Sequence, residues 1–257
     1  MKILVLVKEV PDTYGERTLN LETGLADRDG ECVLDEISER ALEVALSYAD
    51  ANPDTEIVAL TMGPERVTPS LRKCLAMGAA AAVHVLDDGL RGADLGLTAE
   101  VLAAAIRRQG FDLVLTGNQS TDGSGGMLPA MLAEHLEAAA LTNLFAVTIA
   151  ANEVSGERAS DDATLRVSAH LPAIVSITDQ LPDARFPNFK GIVAAKKKPI
   201  ETLTLADLGL TADDLSAGRA IMLSIAERPA RAAGVKITDE GDAGARLAAF
   251  LSENRLA

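Results

Sequence analysis

The chain has 257 residues, with 38 acidic against 24 basic side chains and a formal net charge of −14. That balance excludes a protein built to grip nucleic acid, because phosphate contacts need clustered cations and only Lys196–Lys198 offers a cluster. Hydrophobic residues make up 48% but aromatics only 3%, with no tryptophan, so the core must be Ala, Val, Leu and Ile. Such a core suits a parallel sheet covered by Ala-rich helices.

Ile3–Val7 is a short, wholly apolar run, the pattern of a strand buried on both faces. It is too short for a signal-peptide core or a membrane span, and the acidic residues after it do not fit a mitochondrial presequence, so the chain reads as cytoplasmic. Residues 11–34 are polar and read as a long loop. Asp35 then opens a helix over 36–50, with Ile37, Ala41, Leu42 and Ala45 on one face. Ile57–Thr61 reads as a second strand and 66–77 as a helix closed by Gly78, a residue suited to a left-handed cap. Ala82–Leu86 is a third strand, 94–109 a helix closed by Gly110, and Leu113–Thr116 a fourth strand. A glycine-rich loop then feeds a helix from about 127 to 138. This alternation predicts right-handed βαβ units: an α/β fold with a mainly parallel sheet and helices on both faces.

After Ala140 the texture changes. Ala146–Ala150, Leu165–Ala169 and Ala173–Thr178 read as strands, the first two joined by a polar turn region. Beyond Gly209 the chain is Ala-rich and acidic. Residues 211–236 lack the apolar density to fold alone and read as an extended arm, followed by an amphipathic helix over 242–254 with Leu247, Phe250 and Leu251 on one side. The division expected is a first domain over 1–209 and a C-terminal arm and helix over 210–257.

The segment from Leu171 to Ile200 joins a strand, a Pro-punctuated loop and three adjacent lysines. Phe186 and Phe189 sit between Pro182 and the lysines, Lys190 follows directly, and Lys196, Lys197 and Lys198 close the run. An apolar tip on a stiffened loop beside positive charge is one way to write a protein-docking anchor. The same residues also fit core phenylalanines beside a strand edge blunted by lysine.

In a parallel sheet, ligands bind outside the carboxyl ends of the strands. Leu6–Lys8, Thr61–Pro64 and Gly117–Met127 stand at such ends. Gly117, Gly123, Gly125 and Gly126 allow positive φ and close backbone approach, so their amides could face an anion at a helix N-terminus. A tight turn uses the same residues. No Walker lysine and no Gly-x-Gly-x-x-Gly follows the first strand. Cys32, Cys74, His84, His135 and His170 make neither a zinc pattern nor a disulfide scaffold. No catalytic constellation appears, so any redox chemistry must come from a cofactor.

Four stretches in fixed order carry a resemblance: MKILVLVKEVPDTYGER, VLDEISERALEVALSYA, LTMGPERVTPSLRKCLAMGAAAAVHVLDD and LPAIVSITDQLPDARFPNFKGIVAAKKKPI. From Met1 to about Gly209 the chain resembles the beta subunit of electron transfer flavoproteins. The resemblance implies a fold like that of adenine-nucleotide alpha-hydrolases and a heterodimer whose alpha subunit holds the redox FAD. It implies bound AMP, with Leu6, Asp35, Glu36, Ile37, Ser38 and Met62 on the adenosine side. Gly117, Asn118, Gln119, Ser120, Thr121, Asp122, Gly123, Ser124, Gly125, Gly126, Met127 and Leu128 would form the phosphate side.

The loop departs from the common family pattern after Asp122, where Met127 stands in place of a polar glutamine. Contacts are therefore expected from the glycine backbone, and AMP or a second FAD remains open. The resemblance also implies docking of flavin-dependent dehydrogenases on 182–198, with Phe189 where the family carries an anchoring leucine. Val10 to Tyr14 and Ile37 would approach the flavin from the beta side. A stand-alone nucleotide-binding homodimer of the universal-stress type is the alternative, and it leaves the lysine segment and the arm without a role.

Overall fold

In a computed structural model, residues 1–15, 17–214, 218–231, 233–234 and 236–256 are described. Alternate residues of β1 (Lys2–Leu6) face opposite ways: Ile3 and Val5 enter one buried cluster, Leu4 and Leu6 the other. That is why the run is apolar throughout. After β1 come β2 (Glu9–Pro11), β3 (Cys32–Leu34), α1 (Glu36–Ala51), β4 (Glu56–Met62), α2 (Thr68–Met77) and β5 (Ala81–Val85). The chain continues through α3 (Leu95–Gln109), β6 (Leu113–Gly117), α4 (Leu128–Leu136) and β7 (Ala139–Leu144). Then follow β8 (Ala146–Ile149), β9 (Glu153–Ala159), β10 (Thr164–His170), β11 (Ala173–Ile177), α5 (Phe189–Ala195), β12 (Ile200–Leu203) and α6 (Ala243–Glu253).

Seven strands form one sheet in the order β12-β5-β4-β1-β6-β11-β7, and every neighbouring pair is parallel. Helices α1 and α2 pack on one face through Ala41, Leu42, Leu71 and Leu75. Helices α3 and α4 cover the other through Val101, Leu102, Ile106 and Leu132. The α/β architecture with helices on both faces is the one expected. Caps follow the sequence signals: Asp35 accepts from the Ile37 amide at the start of α1, and Gly110 (φ +67°) ends α3.

Several local readings change. The polar stretch 11–34 is not wholly loop, because β2 and β3 pair antiparallel across it and Leu19 bridges Ala26. Helix α4 stops at Leu136, where Glu137 turns left-handed (φ +51°), and Ala139 onward becomes β7. An Ala-rich string is compatible with helix, but pairing with β11, more than thirty residues downstream, decides for strand. The supposed turn region contains β9, the central strand of a three-stranded antiparallel sheet β10-β9-β8. That sheet fills the crossover from β7 to β11 where a helix usually stands. Residues 182–198 are not one loop, since α5 occupies the middle.

Two compact units are present, Met1–Leu223 and Ser224–Ala257. The first unit holds the start of the expected arm: Arg219 donates to Glu100 on α3 at 2.6 Å, and the Ala220 amide to Asp94. In the second unit α6 forms as expected, with Leu247 and Phe250 exposed.

Candidate functional site

The chain leaves β1 toward α1 on one face of the sheet and leaves β6 toward α4 on the other, and β1 and β6 are neighbours. Loops that diverge above adjacent parallel strands leave a crevice at their carboxyl ends, the usual ligand position in such sheets. A cavity of about 1060 Å³ lies there. Its floor is Leu6, Met62, Gly117 and Leu60, the last residues of β1, β4 and β6 or their neighbours.

Ile37 in the first turn of α1 presses on Gly117. A Cβ built on Gly117 would stand 2.5 Å from Ile37 Cγ2, so only glycine lets the β6 backbone and the start of α1 approach this closely. Asp35, 1% exposed, bridges the two: one carboxylate oxygen accepts from Ile37 N and the other from Thr121 N at 3.0 Å. Burial raises its pKa above the ordinary value, partly offset by those two amides. Ser38 Oγ accepts from the Lys8 amide.

Some of the loop amides are engaged and others are not; among the described residues, those of Gln119, Ser120, Asp122 and Met127 belong to the unengaged. Those of Asn118, Thr121, Gly123 and Ser124 donate internally, to Ile177 O, Asp35, Asp122 and Ser120 O. Those of Gly125 and Gly126 have no partner among the described residues, and they stand before α4, whose N-terminus carries no side-chain cap. Gly126 needs its φ of +65°, whereas Gly123 and Gly125 have room for a side chain. Of the four glycines that permit such conformations, two use them, Gly117 for close approach and Gly126 for its φ.

Of the residues expected at the site, Leu6, Asp35, Ile37, Ser38, Met62, Gly117, Asn118, Gln119, Ser120, Gly123, Gly125, Gly126 and Leu128 line the cavity. Glu36, Thr121, Asp122, Ser124 and Met127 lie outside its lining, and Met127 is exposed. Sequence reasoning missed most of the charged wall. Lys8, Arg28, Arg66, Arg91 and Asp87 all face the cavity. Lys8 stands at the strand end already marked by the sequence, and Asp87 follows the end of β5, so the same strand-end rule could have found it. Arg28 lies in the polar stretch and carried no signal.

Asp122 gathers two of these cations. Its Oδ1 accepts from Lys8 Nζ at 2.7 Å and its Oδ2 pairs with Arg28, while its side chain is only 8% exposed. Burial alone would raise its pKa, but hydrogen bonds from Lys8 and Ser120 and the charges of Lys8 and Arg28 hold it well below the usual carboxylate range. Arg28 also donates to Glu9 O, and Arg17 to Thr121 O, so the excursion between β2 and β3 is fastened across the cavity mouth. The buried Cys74 thiol is pushed up to about 12 by burial, and His84 bonds Gly63 O at 2.8 Å. Both are packed side chains.

A second feature lies away from the cavity. Asn188 caps α5, and Gly191 lets that helix touch α2, since a Cβ there would meet Ala76 O at 2.3 Å. Arg72 donates to Ala195 O and Lys198 O. The outer side of α5 and its approach carry Phe186 (93% exposed), Phe189 (82%), Ile192 and Val193, so neither phenylalanine is core. Lys190, Lys196 and Lys197 are exposed around them. Lys198 is different: its Nζ donates to Leu75 O and Ala79 O at the end of α2, and burial lowers its pKa. It belongs to the fold rather than to the positive rim.

The pattern described as electron transfer flavoprotein domain matches residues 23–208. The chain is 43% identical to the electron transfer flavoprotein subunit beta of Mycobacterium leprae, over 99% of this chain and 98% of that one. It belongs to the electron transfer flavoprotein beta subunit family. The subunit beta of Mycobacterium tuberculosis is 42% identical over the same shares. A more distant relative, subunit CarD of the caffeyl-CoA reductase–Etf complex of Acetobacterium woodii, is 34% identical over 93% of this chain and 92% of its own. Membership of an electron transfer flavoprotein family carries with it a flavin-related cofactor and an alpha subunit as partner. Among the described residues no helix is long and apolar enough to cross a membrane.

Proposed function

We propose that this beta subunit acts as a docking and structural half of an electron carrier, receiving electrons from flavin-dependent dehydrogenases without catalytic residues of its own. The redox FAD is held mainly by the alpha subunit and supplies the electron-carrying chemistry. This chain closes over that flavin, with Val10 to Tyr14 as the approaching segment. Residues from Ser224 onward, with α6, contact the partner subunit. We take that boundary rather than 210 because Arg219 and Ala220 are already bonded to α3.

The cavity at the β1–β6 switch point takes AMP. One observation carries this reading: unengaged amides of Gly125 and Gly126 stand at an uncapped helix start beside a cavity of nucleotide size. Leu6, Ile37 and Met62 offer the apolar side for the base. Phe186 on the approach to α5 and Phe189 at its first position anchor the dehydrogenase, and Lys190, Lys196 and Lys197 steer it.

The test is co-purification followed by mass spectrometry of small molecules released on denaturation. A yellow complex with a second polypeptide, releasing FAD and AMP, is the expected result. A colourless homodimer would favour the stress-type reading, and two FAD per complex would replace AMP in the cavity.

A further inference from the structure

Lys8 leaves β1 into the cavity, where Nζ donates to Ser120 Oγ at 3.1 Å and to Asp122 Oδ1 at 2.7 Å. An ammonium carries three donors, so one remains for a ligand. The second oxygen of Asp122 is taken by Arg28, whose own Nη1 is spent on Glu9 O. Lys8 and Arg28 share the Asp122 carboxylate, and the buried Asp35, whose pKa burial raises, lies close enough to interact with Lys8 and Asp122. The Lys8 side chain is 45% exposed, and Nζ stands only 3.7 Å from where a Cβ of Gly123 would be. The neighbouring amides of Thr121, Gly123 and Ser124 are consumed internally, while those of Gln119, Ser120 and Asp122 have no partner among the described residues, so an anion at this end of the loop would meet the Lys8 ammonium beside a few free amides.

We infer that Lys8 reads the phosphate charge of the nucleotide in the cavity, with Ser120 and Asp122 acting as positioning residues that hold its ammonium in place. The inference rests on the nucleotide reading above and adds a charged side chain to the glycine backbone proposed for the phosphate. It also fixes a preference: a phosphorylated nucleoside over the free nucleoside.

The experiment is equilibrium dialysis of the full-length chain, purified with whatever partner accompanies it, against labelled AMP and labelled adenosine. Lys8→Met should weaken AMP roughly 10- to 100-fold, the range for losing a hydrogen bond to a charged group, and leave adenosine unchanged. Lys8→Arg should restore most of the AMP binding. Thermal melts accompany each variant, and Lys8→Gln, which keeps a donor without the charge, replaces the methionine variant if that one melts early. Equal losses of AMP and adenosine would make Lys8 a structural residue and overturn the inference, as would unchanged AMP binding. Failure of the unaltered protein to bind either compound would instead remove the nucleotide reading itself, so the two failures are distinguishable.

Discussion

The Arg185 guanidinium meets the Glu43 carboxylate side-on, Nε to Oε2 and Nη2 to Oε1, both at 2.8 Å. The two residues are 142 positions apart, and the contact ties the approach to α5 onto α1. Arg40 adds a second tie, to Leu181 O and Asp183. The exposed phenylalanines therefore stand on a base held at two points.

This base should be measurable. A double-mutant cycle of Arg185→Ala and Glu43→Ala should give a coupling of about 1 kcal/mol in urea unfolding, at the upper end for partly exposed ion pairs because the geometry is bidentate. Burial opposes ionisation of Glu43, but the Arg185 hydrogen bonds outweigh it and lower the pKa below 4.5. A carboxylate lowered in the folded state stabilises above its unfolded pKa and loses that contribution as pH falls. The coupling should be full at pH 7 and decline below about pH 4.5. A pH-independent coupling would mean that packing, not charge, joins the pair.

Phe189 is 82% exposed, so Phe189→Ala should leave fold stability within about 0.5 kcal/mol. Reduction by a coupled dehydrogenase should weaken by roughly 1–3 kcal/mol in apparent affinity, the range for losing a central anchor. Flavin content should not change. An unaltered reduction rate would remove Phe189 as the anchor.

The parallel sheet was legible because Ile3–Val7 and Leu113–Leu115 are apolar throughout, as a strand buried on both faces tends to be. The Asp35 cap and Gly110 stop were legible because both act within one turn of their helix. β7 and β9 were not, since Ala139–Leu144 and Glu153–Ala159 become strands only through partners remote in sequence or across a hairpin. At the site, the glycine loop announced itself, but the division of its amides into spent and free did not. That division depends on Asp35, Ser120 and Asp122 folding back on the loop. The lysine run showed the same limit. Three identical letters conceal one residue, Lys198, turned inward to the end of α2.

That difference among lysines gives a prediction. Replacing Lys196 and Lys197 by Gln should slow association with a dehydrogenase and flatten its salt dependence, with no change in melting. Lys198→Met should do the reverse. Loss of its bonds to Leu75 O and Ala79 O should cost about 1–2 kcal/mol of stability and leave the salt dependence intact. Stopped-flow reduction at several ionic strengths, beside a chemical denaturation curve, separates the two. A flattened salt dependence in Lys198→Met would return that residue to the docking rim.

Two glycines of one loop should fail in different ways. At Gly117 a Cβ would stand 2.5 Å from Ile37 Cγ2, so Gly117→Val must push the first turn of α1 aside, an overpacking cost of roughly 1–3 kcal/mol. Stability should fall whether or not nucleotide is added. At Gly125 the nearest atom to a built Cβ is Leu95 Cδ2 at 3.9 Å, and the φ is not in the left-handed region, so Gly125→Val should fold normally. Its isopropyl group would instead stand at the cavity wall beside the free amides that precede α4. A ligand that binds only the native state stabilises it by about 2.7 kcal/mol at a hundred times Kd. Added AMP should therefore raise the melting temperature of the unaltered protein and fail to do so for Gly125→Val. Urea melts with and without AMP separate the cases, because one variant loses the baseline and the other loses the shift. If Gly125→Val keeps the full AMP shift, the nucleotide does not reach the start of α4.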